Sequence, residues 1–112
     1  MTVRLDMREL QARAEEVSEL LKLLSHPNRL LIACELREGE ASVGALEATT
    51  GAAQPALSRD LARMRDEGLV VARRQSKSVF YRLADDRLAR VIDALCAAFG
   101  PEAVPSRKRN RK

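Results

Sequence analysis

The chain has no tryptophan, one tyrosine, two phenylalanines and one histidine among its 112 residues. So few rings rule out stacking on aromatic side chains as the main means of holding a single-stranded nucleic acid. The lone histidine, His26, and the two cysteines, Cys34 and Cys96, fall short of the three or four N, S or O ligands that a transition-metal site takes. His26 precedes Pro27 and reads as a capping or packing residue rather than a ligand; no metal and no cofactor are expected. No apolar run approaches the ~18 residues of a membrane span. The amino-terminal stretch Met1–Glu16 is charged and lacks a signal-peptide core. A cytoplasmic protein without membrane contact is the expectation, with both cysteines resting as thiols. There is no Gly-rich phosphate loop, no His–Cys or Ser–His–Asp arrangement at usable spacing and no paired carboxylates beside an apolar cleft, so an enzyme is not expected.

Charge of one sign is scarcer than the total implies. The formal net charge is +4, yet Arg107–Lys112 alone carries five positive charges, which leaves −1 over residues 1–106. The basic pI is an effect of the tail. Residues 101–112, entered through Pro101 and Pro105, read as a disordered arm that adds non-specific attraction to phosphate or merely solubilises the end. Residues 1–100 read as one small domain.

What is present is helical periodicity. Met7, Leu10, Ala14, Val17, Leu20, Leu21 and Leu24 recur at three- and four-residue steps and predict a first helix over 7–24 with a broad apolar face. So long a face at the start of a small domain needs a cover, for which a second subunit is a candidate. Ser25 is placed to cap a second helix, with Pro27 in its first turn and Asn28 to about Glu38 as its body. Gly39 ends it. Ser42 caps a short third helix carrying Val43 and Leu46, and Thr49–Ala53 forms the turn that follows. Asp85 or Asp86 caps a last helix with Leu88, Val91, Ile92, Leu95, Cys96 and Phe99 on one face.

Between these lies Gln54–Leu83. Its first part places Leu57, Leu61 and Met64 on one stripe of a helix that has Pro55 in its first turn and ends at Gly68. The opposite face carries Ser58, Arg59, Ala62 and Arg63, short or basic, as a helix lying in a major groove requires. The second part, residues 69–83, reads as a β-hairpin with Arg73, Arg74, Lys77 and Arg82 and no acid. A basic hairpin beside such a helix is a wing able to reach phosphates or the minor groove. The plain alternative is a solvated helix and an ordinary surface hairpin, or a winged helix that binds protein. The expected order is α-α-α-α-β-β-α: mainly α with a small β-hairpin, a winged helix-turn-helix with one extra helix at each end.

Five ordered segments resemble the ArsR family of bacterial repressors: Leu24–Leu30, Gly39–Leu46, Gln54–Ser58, Leu61–Arg65 continuing to Val70, and Phe80–Leu83. The likeness runs from about residue 7 to 99. It implies a homodimer through the first and last helices, reading double-stranded operator DNA. It also implies groove contacts from Gln54, Ser58, Arg59 and Arg63, and phosphate contacts from Arg73, Arg74 and Lys77. Related sequences often have glutamine where Arg59 stands here. Metal-sensing members carry a Cys-x-Cys near the third helix or histidine and carboxylate ligands on the last; here Glu40–Gly44 has no cysteine and the last helix no histidine.

Cys34 resembles the first cysteine of the sulfide- and polysulfide-responsive branch, which includes the biofilm growth-associated repressors. In that branch reactive sulfur species or oxidants link two thiols and DNA affinity falls. Its second cysteine would align with Gly100, whereas this chain has Cys96, one helical turn earlier. Both cysteines also lie in apolar runs where a thiol packs as a small hydrophobe. The resemblance therefore implies a repressor released by a Cys34–Cys96 link. A regulator without a thiol switch stays open beside it, whether metal-responsive, constitutive or displacing another DNA-binding protein.

Overall fold

Residues 6–100 are described by the computed structural model. Their order is α1 (Met7–Leu24), α2 (Pro27–Arg37), β1 (Ala41–Ser42), α3 (Val43–Thr50), α4 (Ala56–Asp66), β2 (Val70–Gln75), β3 (Ser78–Leu83) and α5 (Asp86–Phe99). This is a winged helix-turn-helix: α3 and α4 form the helix pair, β2 and β3 the wing, and α1 and α5 flank them. The tail expected over 101–112 lies outside the described residues.

Local chemistry sets the helix ends. Asp6, Ser42 and Asp85 each accept a hydrogen bond from a backbone amide in the first turn of α1, α3 and α5 respectively. Ser25, expected to cap α2, instead closes α1, its hydroxyl donating to the Lys22 carbonyl at 2.7 Å. His26 takes the cap position of α2 without a side-chain bond. The cause is Pro27: the residue before a proline is driven out of the α region, and His26 is extended at φ −94°, ψ 127°. Thr49 and Thr50, expected in the turn, are still helical; Gly51, left-handed at φ 77°, makes the break. Pro55, expected inside α4, stands at its cap. Helical bonding nonetheless begins early, since the Ala53 and Pro55 carbonyls accept from Leu57 and Arg59.

One strand was not expected. β1 pairs Ala41 with Tyr81 and Ser42 with Phe80, giving an antiparallel sheet in the order β1-β3-β2. Two residues are too short to show an alternating pattern, and their partners lie far along the chain.

α2 is the hub, touching α1, α3, α4, α5 and β3. Ile32 of α2, Leu46 of α3, Leu57, Leu61 and Met64 of α4 and Ile92 of α5 are all but fully buried around it. Each such side chain contributes about 1.5–3 kcal/mol relative to exposure. α1 is different. Only Leu23 and Leu24 at its end are buried, while Met7, Leu10, Val17 and Leu21 are exposed. Between α1, the Gly68–Leu69 corner and the start of α5 runs an open groove of about 710 Å³, its apolar floor including Leu20, Leu88 and Val91. Arg87 of α5 bridges its edge, 3.5 Å from Glu16 of α1 and 3.0 Å from Asp85.

Candidate nucleic-acid interface

α4 is amphipathic in the expected sense. With Leu57, Leu61 and Met64 turned into the core, Gln54, Ser58, Arg59 and Arg63 are exposed and Ala62 is half-buried between them. The Ser58 hydroxyl donates to Gln54 Oε1 at 2.5 Å, so these two polar groups form one unit at the helix start. Arg63 lies 3.6 Å from Glu67, one turn on and also exposed, a pairing worth a few tenths of a kcal/mol. Arg59 makes no ion pair among the described residues. It is the unencumbered cation of the face.

A buried charge holds this helix in place. Arg29 of α2 is only 8% exposed, and its Nε lies 3.6 Å from Asp60 Oδ1 on the inner flank of α4. That nitrogen has no hydrogen-bond partner among the described residues, so the Asp60 charge is what compensates it. A buried cation is tolerated only with such a partner. Helical periodicity alone singles out neither residue; the available signal is an arginine directly before the apolar run Leu30–Cys34.

The wing is a tight hairpin in which Gln75 faces Ser78 across a two-residue turn, Ser76–Lys77, with Ser76 left-handed at φ 57°. Arg74 and Lys77 are exposed and make no ion pair among the described residues. Arg73 is placed otherwise. Its Nε and Nη2 donate to the two carboxylate oxygens of Glu40 at 2.7 and 2.8 Å, and Nη1 donates to Gln75 Oε1 at 2.6 Å. Its guanidinium also lies 4.9 Å from the centre of the Phe80 ring. The hydrogen bond from Arg73 holds the Glu40 carboxyl below its usual range, and Glu40 in turn raises Arg73. The wing is free of acid in sequence but not in space.

Away from the wing, α2 packs on α5 with Arg37 hydrogen-bonded to Asp93 across the contact. Cys34 is half-buried one turn before Arg37. Cys96 is exposed one turn after Asp93. Arg37 is held above its ordinary range, first by the hydrogen bond to Asp93, with smaller contributions from the charges of Asp93, Glu38 and Cys96. Gly100, where the branch's second cysteine would align, closes α5 with its amide bonded to the Cys96 carbonyl. A Cβ added there would come within 2.5 Å of that oxygen, so a larger residue at 100 would require the backbone to shift. Among the described residues no group of three or more His, Cys, Asp or Glu side chains is placed to hold a metal ion, and no helix is long and apolar enough to cross a membrane.

Residues 26–71 match the family described as bacterial regulatory protein, arsR family. The biofilm growth-associated repressor of Agrobacterium fabrum is 52% identical over 90 residues, covering 80% of this chain and 77% of that one. The crystal structure of the transcriptional repressor BigR from Xylella fastidiosa superposes with a TM-score of 0.83 at 44% identity, over 88% of this chain and all of that one. A homodimeric winged helix-turn-helix DNA-binding domain from Mycobacterium bovis, known from its solution structure, superposes at 0.69 with 30% identity, over 88% of this chain and 89% of that one. With a relative more than half identical over most of both chains, and the same fold in both solved structures, the chain belongs to the arsR family of bacterial regulatory proteins.

Proposed function

We propose that the protein is a transcriptional repressor that binds operator DNA as a homodimer and releases it when Cys34 and Cys96 are joined by reactive sulfur. The observation that carries the DNA reading is the exposed face of α4, on which Ser58, Arg59 and Arg63 stand together with Gln54 just before the helix, beside a wing with Arg74 and Lys77 uncommitted. Arg59 and Arg63 suit bidentate contact with guanine, and the Gln54–Ser58 unit suits an adenine or phosphate at the helix start. Wing cations add sequence-independent affinity that falls with salt. Arg73 belongs to the same wing. The relatives named as repressors, and the homodimeric domain from Mycobacterium bovis, support repression and a dimer. The exposed apolar residues of α1 and the 85%-exposed Phe99 at the end of α5 support the dimer. Two reading heads about 34 Å apart would then address a near-palindromic site.

The thiol reading rests on the Arg37–Asp93 contact, which fastens the helix of Cys34 to the helix of Cys96. In the reaction, one thiolate attacks a sulfur of a polysulfide; the S–S bond breaks and the shortened polysulfide leaves with the electron pair. The second thiolate attacks the cysteine-bound sulfur of the resulting persulfide, and the outer sulfur departs as hydrosulfide. Two thiols lose two electrons, the polysulfide gains them, and both protons pass to the sulfide products. The new link fixes α2 to α5. Because α2 also holds α4 through Arg29 and Asp60, a shift there reaches the recognition helix. Coupling of about 1–3 kcal/mol is typical of such linkage and changes operator occupancy several-fold or more.

The test is titration of reduced protein onto duplex DNA from upstream of its own gene. Arg59→Ala and Arg63→Ala should each lose about 1–3 kcal/mol on that duplex and discriminate less against altered bases. Equal, weak binding of wild type to that duplex and to random DNA would overturn the reading.

A further inference from the structure

Among the basic residues of the wing, Arg73 is the one whose guanidinium is engaged within the chain. Three of its N–H groups are bonded, two of them to both oxygens of one carboxylate, out of the five a guanidinium has. One face of the group lies against Phe80. A phosphate arriving at Arg73 would meet the charged Glu40 carboxylate at the same place, and its negative charge would be repelled there. Arg74, next along β2, points to the other face of the sheet, and Lys77 is in the turn; neither has an ion-pair partner among the described residues.

The register explains what the pair does. Phe80 of β3 is opposite Ser42 of β1 on one side and opposite Arg73 of β2 on the other. Glu40 lies just before β1, two residues ahead of Ser42, and its bonds to Arg73 put its carboxylate on the face that carries Arg73 and Phe80. The Arg73–Glu40 pair therefore passes over the middle strand like a strap, from the outer strand of the wing to the segment that leads into α3. Ser42 is also the cap of α3, its Oγ accepting from the Ala45 amide. A strap anchored two residues before that cap sets the pitch of the wing against the helix-turn-helix.

We propose that Arg73 is a positioning residue which, paired with Glu40 and laid over Phe80, holds the wing at its working angle, while Arg74 and Lys77 meet the phosphates. This rests on the DNA reading above and replaces the expected phosphate contact of Arg73 with an internal one. It also assigns a role to Glu40, an acid that the sequence of the wing does not contain.

The test is the salt dependence of duplex binding by the full chain. Arg73→Ala and Glu40→Gln should weaken binding by a similar factor, about two- to fivefold, the range an exposed ion pair supplies. In both, the slope of log affinity against log salt should stay that of wild type, whereas Arg74→Ala should lower its magnitude by about 0.9, the loss of one phosphate contact. The reversed pair, Glu40→Arg with Arg73→Glu, should recover most of the lost affinity. Three results overturn the assignment: a slope reduced by about 0.9 in Arg73→Ala, tighter binding by Glu40→Gln, or a reversed pair that binds worse than either single variant. Wild type that binds no duplex overturns the DNA reading itself, and the assignment with it.

Discussion

Arg37, in the last turn of α2, is hydrogen-bonded to Asp93 in the middle of α5, and each of these residues stands three positions from a cysteine. The pair clamps the two cysteine-bearing helices together at one point, which limits how far the thiols can be drawn apart. It also has a testable consequence. Cys34→Ser and Cys96→Ser should bind DNA as the reduced wild type does and fail to respond to polysulfide, read by anisotropy before and after treatment. Release that persists in either variant would remove the two-thiol link as the switch.

The exposed apolar residues of α1 predict where the second subunit sits. Leu10 and Val17 are each 38% exposed and take no part in the buried core. Leu10→Glu with Val17→Glu should leave the secondary structure intact, convert dimer to monomer by light scattering, and reduce DNA binding to the weak non-specific range, Kd about 10⁻⁴–10⁻⁶ M. A variant that remains dimeric would place the interface elsewhere.

Arg29 and Asp60 should behave as a buried pair. Asp60→Ala leaves the Arg29 cation buried without compensation, and breaking such a pair costs about 3–5 kcal/mol; Asp60 is partly exposed, 23% by its side chain, so a loss of about 2–3 kcal/mol is expected here. Replacing both, Arg29→Met with Asp60→Leu, should recover most of it. Denaturant unfolding reads both. A loss below about 0.5 kcal/mol in Asp60→Ala, the scale of an ordinary surface change, would show that the pair does not hold α4.

Two carboxylates give the pH dependence. Glu40 is lowered by its hydrogen bond from Arg73, and Asp85 by hydrogen bonds from the Arg87 side chain and then its backbone. Their folded values lie below the unfolded ones, so their contribution is in place above the ordinary carboxylate range, about 4, and is lost as the pH falls through the folded values. Thermal stability should therefore be insensitive to these groups between pH 6 and 8 and fall below about pH 4. Glu40→Gln should flatten part of that fall. An unchanged acid profile in that variant would deny Glu40 its part.

Much of this was legible in the sequence because it is local. The α4 stripe of Leu57, Leu61 and Met64, the cap Ser42, the cap at Asp85 or Asp86, and the hairpin of two β-rich runs around a polar tip each show within about a dozen residues. What was not legible joins distant segments. β1 is two residues long and exists only through Phe80 and Tyr81. Glu40 meets Arg73, Arg29 meets Asp60 and Arg37 meets Asp93 only after the chain has folded. Ser25 was misplaced by one position because serine suits both ends of a helix, and Pro27 decided between them.

The most direct measurement is a gel shift of reduced protein on DNA upstream of its own gene, repeated after polysulfide treatment, with intact mass and peptide mapping on the same sample. The expected result is a sequence-specific complex that is lost on treatment, together with a mass change that maps to a link between Cys34 and Cys96, direct or through added sulfur. A complex that survives treatment, or is lost without that link, would contradict it.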